Sequence, residues 1–155
     1  PEIDFKIIGF VFSQRYFNEC QSYITNHRIE NVNLLPNLAF DDMIKALQSS
    51  KYFLHTLENE PFGITAVQAI AAGCIPIVHD SGGQREVVPV DFLRYKTLNE
   101  IPEIIRYVEE LRQEEVSGLI ADLQQNALEN YDASVFHHRM VTIFNYLTER
   151  GLSKE

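Results

Sequence analysis

A short acidic turn between two apolar segments contains the residues of this chain that are best suited to chemistry. The turn reads Glu60-Pro61-Phe62-Gly63, and residues 64–72 after it are rich in helix-forming types until Gly73, a residue that commonly ends helices. A helix that begins beside the turn has free backbone N–H groups at its N-terminus, and such groups bind phosphate. The pattern therefore predicts an anion-binding helix N-terminus.

The residues around this turn add polar groups that could recognise a ligand. Glu60 supplies a hydrogen-bond acceptor, Thr65 adds a hydroxyl, and Gln68 lies about one helical turn further on. Pro61 fixes its own φ, while Gly63 lets a ligand approach the backbone closely. These groups fit a sugar joined to a phosphate. The spacing alone fits a solvated glutamate before an ordinary crossover helix equally well.

A second turn, residues 80–86, follows the next apolar segment. Gly82 and Gly83 permit a close backbone approach there, and Ser81 and Arg85 offer hydrogen-bond donors. The simpler interpretation is a turn without function, in which Glu86 only caps local amides. The residues of the turn by themselves leave both interpretations open.

Both turns come after apolar segments that are typical of buried strands. The predicted strands are residues 5–12, 32–35, 52–57, 75–78 and 92–95. The predicted helices are residues 14–28, 41–49, 64–72, 101–111, 117–131 and 134–150, with a capping box at residues 97–100 and Asp132 as the N-cap of the last helix. This alternation indicates an α/β fold, a doubly wound, Rossmann-like parallel sheet of about five strands with helices on both faces. Open sheets of this kind bind ligands at the carboxyl ends of their strands, where both turns belong.

Composition and charge exclude several classes of protein. A chain of 155 residues, 45% hydrophobic and 23% charged, is expected to form one domain with a real core. The net charge of −9 argues against nucleic acid as the main partner. No apolar run is long enough to cross a membrane. Cys20, Cys74 and the adjacent pair His137-His138 lack metal-ligand spacing, so we expect no metal and a reduced, cytoplasmic setting.

Taken together, the two turns resemble the donor-binding signature of retaining glycosyltransferases of the GT-B fold, the large group 1 or family four class. The matching positions are Glu60, Phe62, Gly63, position 68, Ala69, Ala71, Ala72, Gly73, Pro76, Gly82, Gly83 and Glu86. Four segments are particularly similar to the dolichol-linked-oligosaccharide α-1,2-mannosyltransferases: Leu54-His55-Thr56, Asn59-Glu60, Phe62-Gly63-Ile64 and His79-x-Ser81-Gly82-Gly83. Outside residues 54–86, the chain matches this family in element order only.

The resemblance implies a role for each matching residue. Glu60 would be the catalytic residue that holds sugar hydroxyls near the reacting carbon, and Gln68 would meet the ribose. The loop after the second strand would hold the nucleobase through its backbone, although a simple turn explains that loop as well. The implied donor-binding residues are Pro36, Asn37, Leu38, Pro61, Phe62, Gly63, Ile64, Thr65, Gln68, Ser81, Gly82, Gly83 and Arg85. The functional interpretation of the second turn is favoured because it follows the first at the family's distance.

One position departs from the family. Gln68 stands where the signature has a second acidic residue, whose carboxylate accepts hydrogen bonds from the ribose hydroxyls. A glutamine carbonyl also accepts, but neutral hydrogen bonds are about half as strong as charge-assisted ones. The alternative is therefore a non-catalytic nucleotide-sugar-binding or subunit module. Nucleotide-sugar epimerases fit less well, because their Ser-Gly-Gly turn precedes the Glu-Ala helix, whereas here it follows.

The resemblance also implies partners and context. The expected parent enzyme transfers a hexose, with retention, from a nucleoside-diphosphate sugar to a saccharide or lipid-linked acceptor, and GDP-mannose is the favoured donor. Enzymes of this fold generally need no metal or other cofactor. No Gly-Arg with a following Lys-Gly precedes Phe5, so we expect a fragment that lacks the first strand of its domain and the N-terminal acceptor domain. We expect the parent to be cytoplasmic, including the cytosolic face of a membrane, and the fragment alone to be inactive.

Overall fold

A computed structural model of the protein describes residues 3–151. The chain divides into two compact units, the first ending at Ala46 and the second beginning at Leu47. Each unit is an alternation of strands and helices. Within residues 3–151, no helix combines the length and the apolar character needed to cross a membrane.

The first unit contains a parallel two-stranded sheet. Strands β1 (Phe5–Gly9) and β2 (Val32–Pro36) flank helix α1 (Gln14–Asn26), and helix α2 (Phe40–Gln48) follows. In the sheet Phe5 lies opposite Val32 and Gly9 opposite Pro36. Ser13 caps α1, because its Oγ accepts a hydrogen bond from the Tyr16 N–H at 3.3 Å.

Strand β1 is shorter than the predicted residues 5–12. Its partner strand ends at Pro36, which has no N–H to extend the ladder, and the chain then turns at Asn37 with a φ of 54°. The Asn37 N–H donates to the Gly9 carbonyl at 2.9 Å and closes the pairing there. Phe12 is 95% exposed, so the apolar character of residues 10–12 does not mark a buried strand.

The second unit contains a three-stranded parallel sheet. Its strands β3 (Tyr52–His55), β4 (Ile75–His79) and β5 (Arg94–Tyr95) lie in the order β3-β4-β5. The helices are α3 (Ile64–Ala71), α4 (Gln84–Val87), α5 (Ile101–Glu110), α6 (Gln113–Tyr131) and α7 (Ala133–Gly151), with short 3₁₀ turns at Asp91–Leu93 and Leu98–Glu100. The five strands of residues 3–151 thus form two sheets rather than one continuous ladder.

The core of the second unit lies around β4. Ile75, Ile77 and Val78 are completely buried, which explains the continuous apolar sequence of this central strand. Ile70 of α3 and Val108 of α5 pack into the same core. The loops after β3 and β4 are therefore anchored on a rigid sheet.

Most predicted helix ends agree with the structure to within a few residues. The capping box of Thr97 and Glu100 is confirmed, and the Asp132 carboxylate accepts from the Ser134 N–H at 2.8 Å, as expected of the N-cap of α7. Helix α6 begins before the predicted residue 117, because the Glu115 carboxylate caps the Arg112 N–H at 2.9 Å. The predicted strand over residues 92–95 is reduced to Arg94–Tyr95, since a 3₁₀ turn occupies the preceding residues.

Candidate donor-binding site

Two turns meet at the carboxyl ends of the adjacent strands β3 and β4. We call residues 57–63, between β3 and α3, the Glu60 turn, and residues 80–83, between β4 and α4, the glycine turn. The two strands run parallel, with His55 opposite Val78 at their ends. The prediction that both turns lie at one edge of a parallel sheet is confirmed.

Glu60 is half-buried and bonded to the start of α3. Its Oε1 accepts a hydrogen bond from the Gly63 N–H at 3.3 Å, so a carboxylate lies at the positive end of the helix dipole. Gly63 has a φ of 98°, a left-handed conformation that glycine adopts without a steric penalty. The N–H groups of Ile64 and Thr65, in the first turn of α3, have no acceptor within the helix. The site therefore combines a fixed carboxylate with backbone donors.

The glycine turn packs directly against the backbone of the Glu60 turn. The Gly83 N–H donates to the Glu60 carbonyl at 2.8 Å. A Cβ on Gly82 would lie 2.3 Å from the Glu60 carbonyl oxygen, and a Cβ on Gly83 would lie 2.3 Å from that of Pro61. The close approach that we predicted for these glycines is thus made by the neighbouring turn of the protein itself.

Ser81 joins the same two turns through its side chain. Its Oγ accepts from the Asn59 N–H at 2.8 Å and lies 2.7 Å from Nδ1 of His79. A hydroxyl has one hydrogen to donate and two lone pairs to accept with, so Ser81 can bond both partners at once. The His79 ring in turn packs edge-on against Tyr95, with ring centroids 5.4 Å apart. The Ser81 hydroxyl, predicted as a donor to the ligand, is therefore engaged within the protein.

Three basic side chains surround Asp80 beside the glycine turn. Asp80 lies 3.0 Å from Nε of Arg94 and 3.3 Å from Nε of Arg85, and Lys96 is 4.0 Å away. Arg94 also pairs with Asp91. Arg85 is 59% exposed, so its guanidinium is accessible to an anion at the edge of the turn.

The other predicted site residues fall into two groups. Phe62, Ile64 and Thr65 are exposed at the N-terminus of α3, Pro61 is exposed beside them, and Gln68 is half-buried. Pro36, Asn37 and Leu38 belong to the first unit, where Oδ1 of Asn37 accepts from the Val11 N–H at 3.0 Å. The structure thus brings the Glu60 turn, the glycine turn and the start of α3 together within the second unit.

Comparison with known proteins identifies the family. Residues 1–130 match the family described as Glycosyl transferases group 1. The chain belongs to this family. The predicted resemblance is therefore confirmed.

Relatives of this glycosyltransferase chain include curated mannosyltransferases. The GDP-Man:Man(3)GlcNAc(2)-PP-Dol alpha-1,2-mannosyltransferase of Mus musculus is 41% identical over 56 residues, which cover 36% of this chain and 11% of the relative. The Caenorhabditis elegans protein of the same name is 25% identical over 108 residues, or 70% of this chain and 21% of the relative. The chain thus matches only about a tenth to a fifth of the length of these relatives.

Solved structures agree on the fold. Anabaena HepE, crystallised in complex with UDP-glucose, has a TM-score of 0.79 at 21% identity, covering 95% of this chain and 42% of that one. AviGT4, a glycosyltransferase involved in avilamycin A biosynthesis, has a TM-score of 0.60 at 14% identity, covering 93% and 43%. The glycosyltransferase chain therefore has the predicted α/β fold, with parallel strands, helices on both sides and GT-B enzymes as its structural neighbours.

Sequence reasoning assigned no role to three residues that lie beside the two turns of this glycosyltransferase site. His55 and His79, at the ends of β3 and β4, belong to the segments that are similar to the mannosyltransferases, but no function follows from that similarity. Gln84, at the start of α4, is not one of the signature's positions. Gln84 is completely buried and donates from Nε2 to the Leu57 carbonyl at 2.9 Å. A polar residue directly after the glycine turn is also common on surfaces, so the sequence gives no sign of this burial.

The protonation of His55 should make the stability of this domain depend on pH. Its Nδ1 is buried without a hydrogen-bond partner, and burial lowers the pKa of His55 below 6.5, opposed by the negative charge of Glu60. As the pH falls through 6.5, the unfolded chain takes up a proton before the folded chain, so the free energy of unfolding decreases until the folded pKa is passed. His55→Gln should therefore flatten the decline measured by urea denaturation between about pH 7 and pH 5. His137→Gln, at an exposed position of α7, is the matched control, and a decline of the same slope in His55→Gln would contradict this role.

Proposed function

We propose that the chain is the donor-binding half of a glycosyltransferase that transfers a hexose, with retention, from a nucleoside-diphosphate sugar to a saccharide or lipid-linked acceptor. The observation that carries the proposal is the Glu60 carboxylate, held at the N-terminus of α3 beside the glycine turn. The mannosyltransferase names of the curated relatives support GDP-mannose as the donor.

The geometry supports a separate role for each group of site residues. Glu60 is proposed to accept hydrogen bonds from sugar hydroxyls next to the reacting carbon. The N–H groups of Ile64 and Thr65 are proposed to face the phosphates, where the helix dipole favours negative charge. Arg85, exposed beside Asp80, adds a cation at the same edge. Gln68 would accept from the ribose, and the backbone of residues 36–38 would meet the base.

Departure of the diphosphate is the step that this arrangement would assist. As the bond between the sugar carbon and the phosphate oxygen breaks, negative charge grows on the leaving diphosphate. Backbone donors that are already oriented by α3 stabilise such charge without reorganisation. These backbone donors and Arg85 are proposed to stabilise the leaving diphosphate without a metal ion.

The acceptor is proposed to bind outside this chain. The chain covers less than half of the solved GT-B structures and at most about a fifth of the two mannosyltransferases described above. We therefore propose that an N-terminal domain of a longer parent holds the acceptor, at the cytosolic face of a membrane if the acceptor is lipid-linked. The chain alone would bind the donor without transferring the sugar.

An NMR titration of the 155-residue chain with GDP, UDP and ADP tests the donor site. We expect one nucleotide to shift amide signals of residues 60–68 and 81–85, with little response from α7. Gln68→Glu should tighten its binding by roughly tenfold, because a carboxylate replaces a neutral acceptor of the ribose hydroxyls. Gln113→Glu, at an exposed position of α6, adds the same charge outside the site as the control. Shifts of similar size for all three nucleotides, spread over helices α1 and α7 that lie outside the proposed contacts, would contradict a donor site of this kind.

A non-catalytic nucleotide-sugar-binding module is the second candidate, and Gln68 is the observation that favours it. The two functions differ in the activity of the intact protein. If the wild-type protein transfers no sugar while Gln68→Glu transfers it, the module is the better description. Transfer by the wild-type protein would exclude the module.

A further inference from the structure

Gln84 is an unusual residue for a buried position. It is the first residue of α4 and is 0% exposed, although its side chain carries both a donor and an acceptor. Its Nε2 donates to the Leu57 carbonyl at 2.9 Å, but its Oε1 is buried and has no hydrogen-bond partner. Burying a polar atom without a partner is unfavourable. An apolar side chain of the same shape would avoid that cost. The favourable interaction that glutamine makes here and an apolar residue could not make is the hydrogen bond to the Leu57 carbonyl.

The side chain of Gln84 reaches both ends of the Glu60 turn. Leu57, whose carbonyl it holds, is the first residue of that turn. At the other end, its Cγ would lie 3.3 Å from a Cβ on Gly63, so it fills the space beside this glycine. Gly63 is also the residue whose N–H donates to the Glu60 carboxylate. The amide orientation is fixed, because reversing it would set Oε1 against the Leu57 carbonyl oxygen.

We propose that Gln84 is a positioning residue of the donor site, which holds the Glu60 turn at Leu57 and Gly63 and so fixes the Glu60 carboxylate at the N-terminus of α3. Gln84 itself does not touch the donor, since it is enclosed by the protein. The inference rests on the proposed function in one respect, namely that Glu60 contacts the donor sugar.

Gln84→Met compared with Gln124→Met tests this role in the 155-residue chain. Methionine keeps the approximate length of the side chain and removes its hydrogen bond. Gln124 is the matched control, because its Nε2 also donates to a backbone carbonyl, that of Ala71 at the opposite end of α3, at 3.3 Å. Loss of one buried hydrogen bond should speed amide hydrogen exchange at Gly63 and Gly83 by roughly tenfold in Gln84→Met. Gln124→Met should leave both amides unchanged.

Gln84→Glu gives a second, pH-dependent readout that a role in packing alone would not produce. A protonated carboxyl donates to the Leu57 carbonyl, whereas a carboxylate cannot, and burial favours the protonated form. Exchange at Gly63 and Gly83 should therefore approach the wild-type rate near pH 5, after correction for the intrinsic pH dependence of exchange, and exceed it near pH 8. This variant also keeps the test open if Gln84→Met fails to fold.

Binding of the nucleotide sugar that carries the base identified in the titration completes the experiment, because Glu60 is proposed to contact the sugar. We expect it to weaken by roughly tenfold in Gln84→Met, and to recover at low pH in Gln84→Glu relative to the wild-type chain at the same pH. Unchanged exchange at Gly63 and Gly83 in Gln84→Met, or faster exchange spread equally over β4, would overturn the positioning role. Faster exchange confined to the two turns, with no nucleotide bound even by the wild-type chain, would support the positioning role and contradict the proposed function instead.

Discussion

Glu60→Ala is expected to lower the transfer activity of the intact protein by about 100-fold or more, the range found when one preorganised polar contact is removed from an active site. The structure gives the reason. The Glu60 carboxylate is held by the Gly63 N–H, and the Glu60 carbonyl is held by the Gly83 N–H. Alanine removes only the carboxylate, because the bond to Gly83 belongs to the backbone. The loss should therefore appear in activity while the fold is retained.

Two further variants show whether the loss belongs to Glu60 itself. Glu58→Ala removes a carboxylate from the same turn, but that side chain is 71% exposed and lies 3.9 Å from Nε2 of His79. We expect this variant to keep activity close to wild type. Glu60→Gln retains an acceptor without the charge and should fall between the two. Initial rates at saturating donor, measured alongside thermal unfolding, decide the matter; wild-type turnover in Glu60→Ala would exclude the catalytic role.

The sequence was sufficient to predict most of the strands and helices in the second unit, but not α4, which occupies residues predicted to form part of a turn. Apolar runs at β3 and β4, helix-forming residue types in α3 and helical spacing in α5 are local signals, and each element formed close to its predicted place. Pairing is less predictable, because parallel strands meet across long stretches of chain. Nothing in residues 10–12 reveals that β1 ends at Gly9, since the cause is Pro36 on the partner strand.

The candidate site was predictable as two turns but not as one interlocked structure. Glu60 and the glycines are visible in the sequence because their residue types are informative. The bonds that join the turns, from Gly83 N–H to the Glu60 carbonyl and from Asn59 N–H to Ser81 Oγ, depend on backbone atoms that every residue has. Gln84 was overlooked for a different reason, since polar residues are mostly exposed. Only the packing of the two turns reveals that its side chain is enclosed.

The packing of these turns makes the glycine turn the place where a single added methyl group should be most damaging. A Cβ on Gly83 would lie 2.3 Å from the Pro61 carbonyl oxygen and 2.8 Å from the Phe62 Cα, and neither backbone atom can rotate away as a side chain can. Gly83 itself has an ordinary φ of −70°. Gly83→Ala should therefore destabilise the chain through steric clash alone, without backbone strain. We expect the free energy of unfolding to fall by about 3 kcal/mol, as in severe overpacking.

Three other glycines allow the effect of steric clash on stability to be separated from the effect of a left-handed backbone conformation. Gly82 combines a φ of 60° with a Cβ position 2.3 Å from the Glu60 carbonyl oxygen, so Gly82→Ala should be at least as destabilising as Gly83→Ala. Gly73 has a φ of 93° but its nearest neighbour is 4.0 Å away, so Gly73→Ala should cost only about 1–2 kcal/mol. Gly118 lies in α6 with nothing within 4 Å, and alanine there should stabilise the chain by about 0.5–1 kcal/mol.

Urea denaturation of the four alanine variants measures this series directly. The predicted order of stability is Gly118→Ala above wild type, then Gly73→Ala, then Gly83→Ala and Gly82→Ala. If the Glu60 turn and the glycine turn were instead free to separate, Gly83→Ala would cost little, because its new methyl group would then meet no backbone. A Gly83→Ala variant as stable as wild type would thus contradict the interlocking of the two turns, and with it the fixed position of Glu60 on which the proposed chemistry depends.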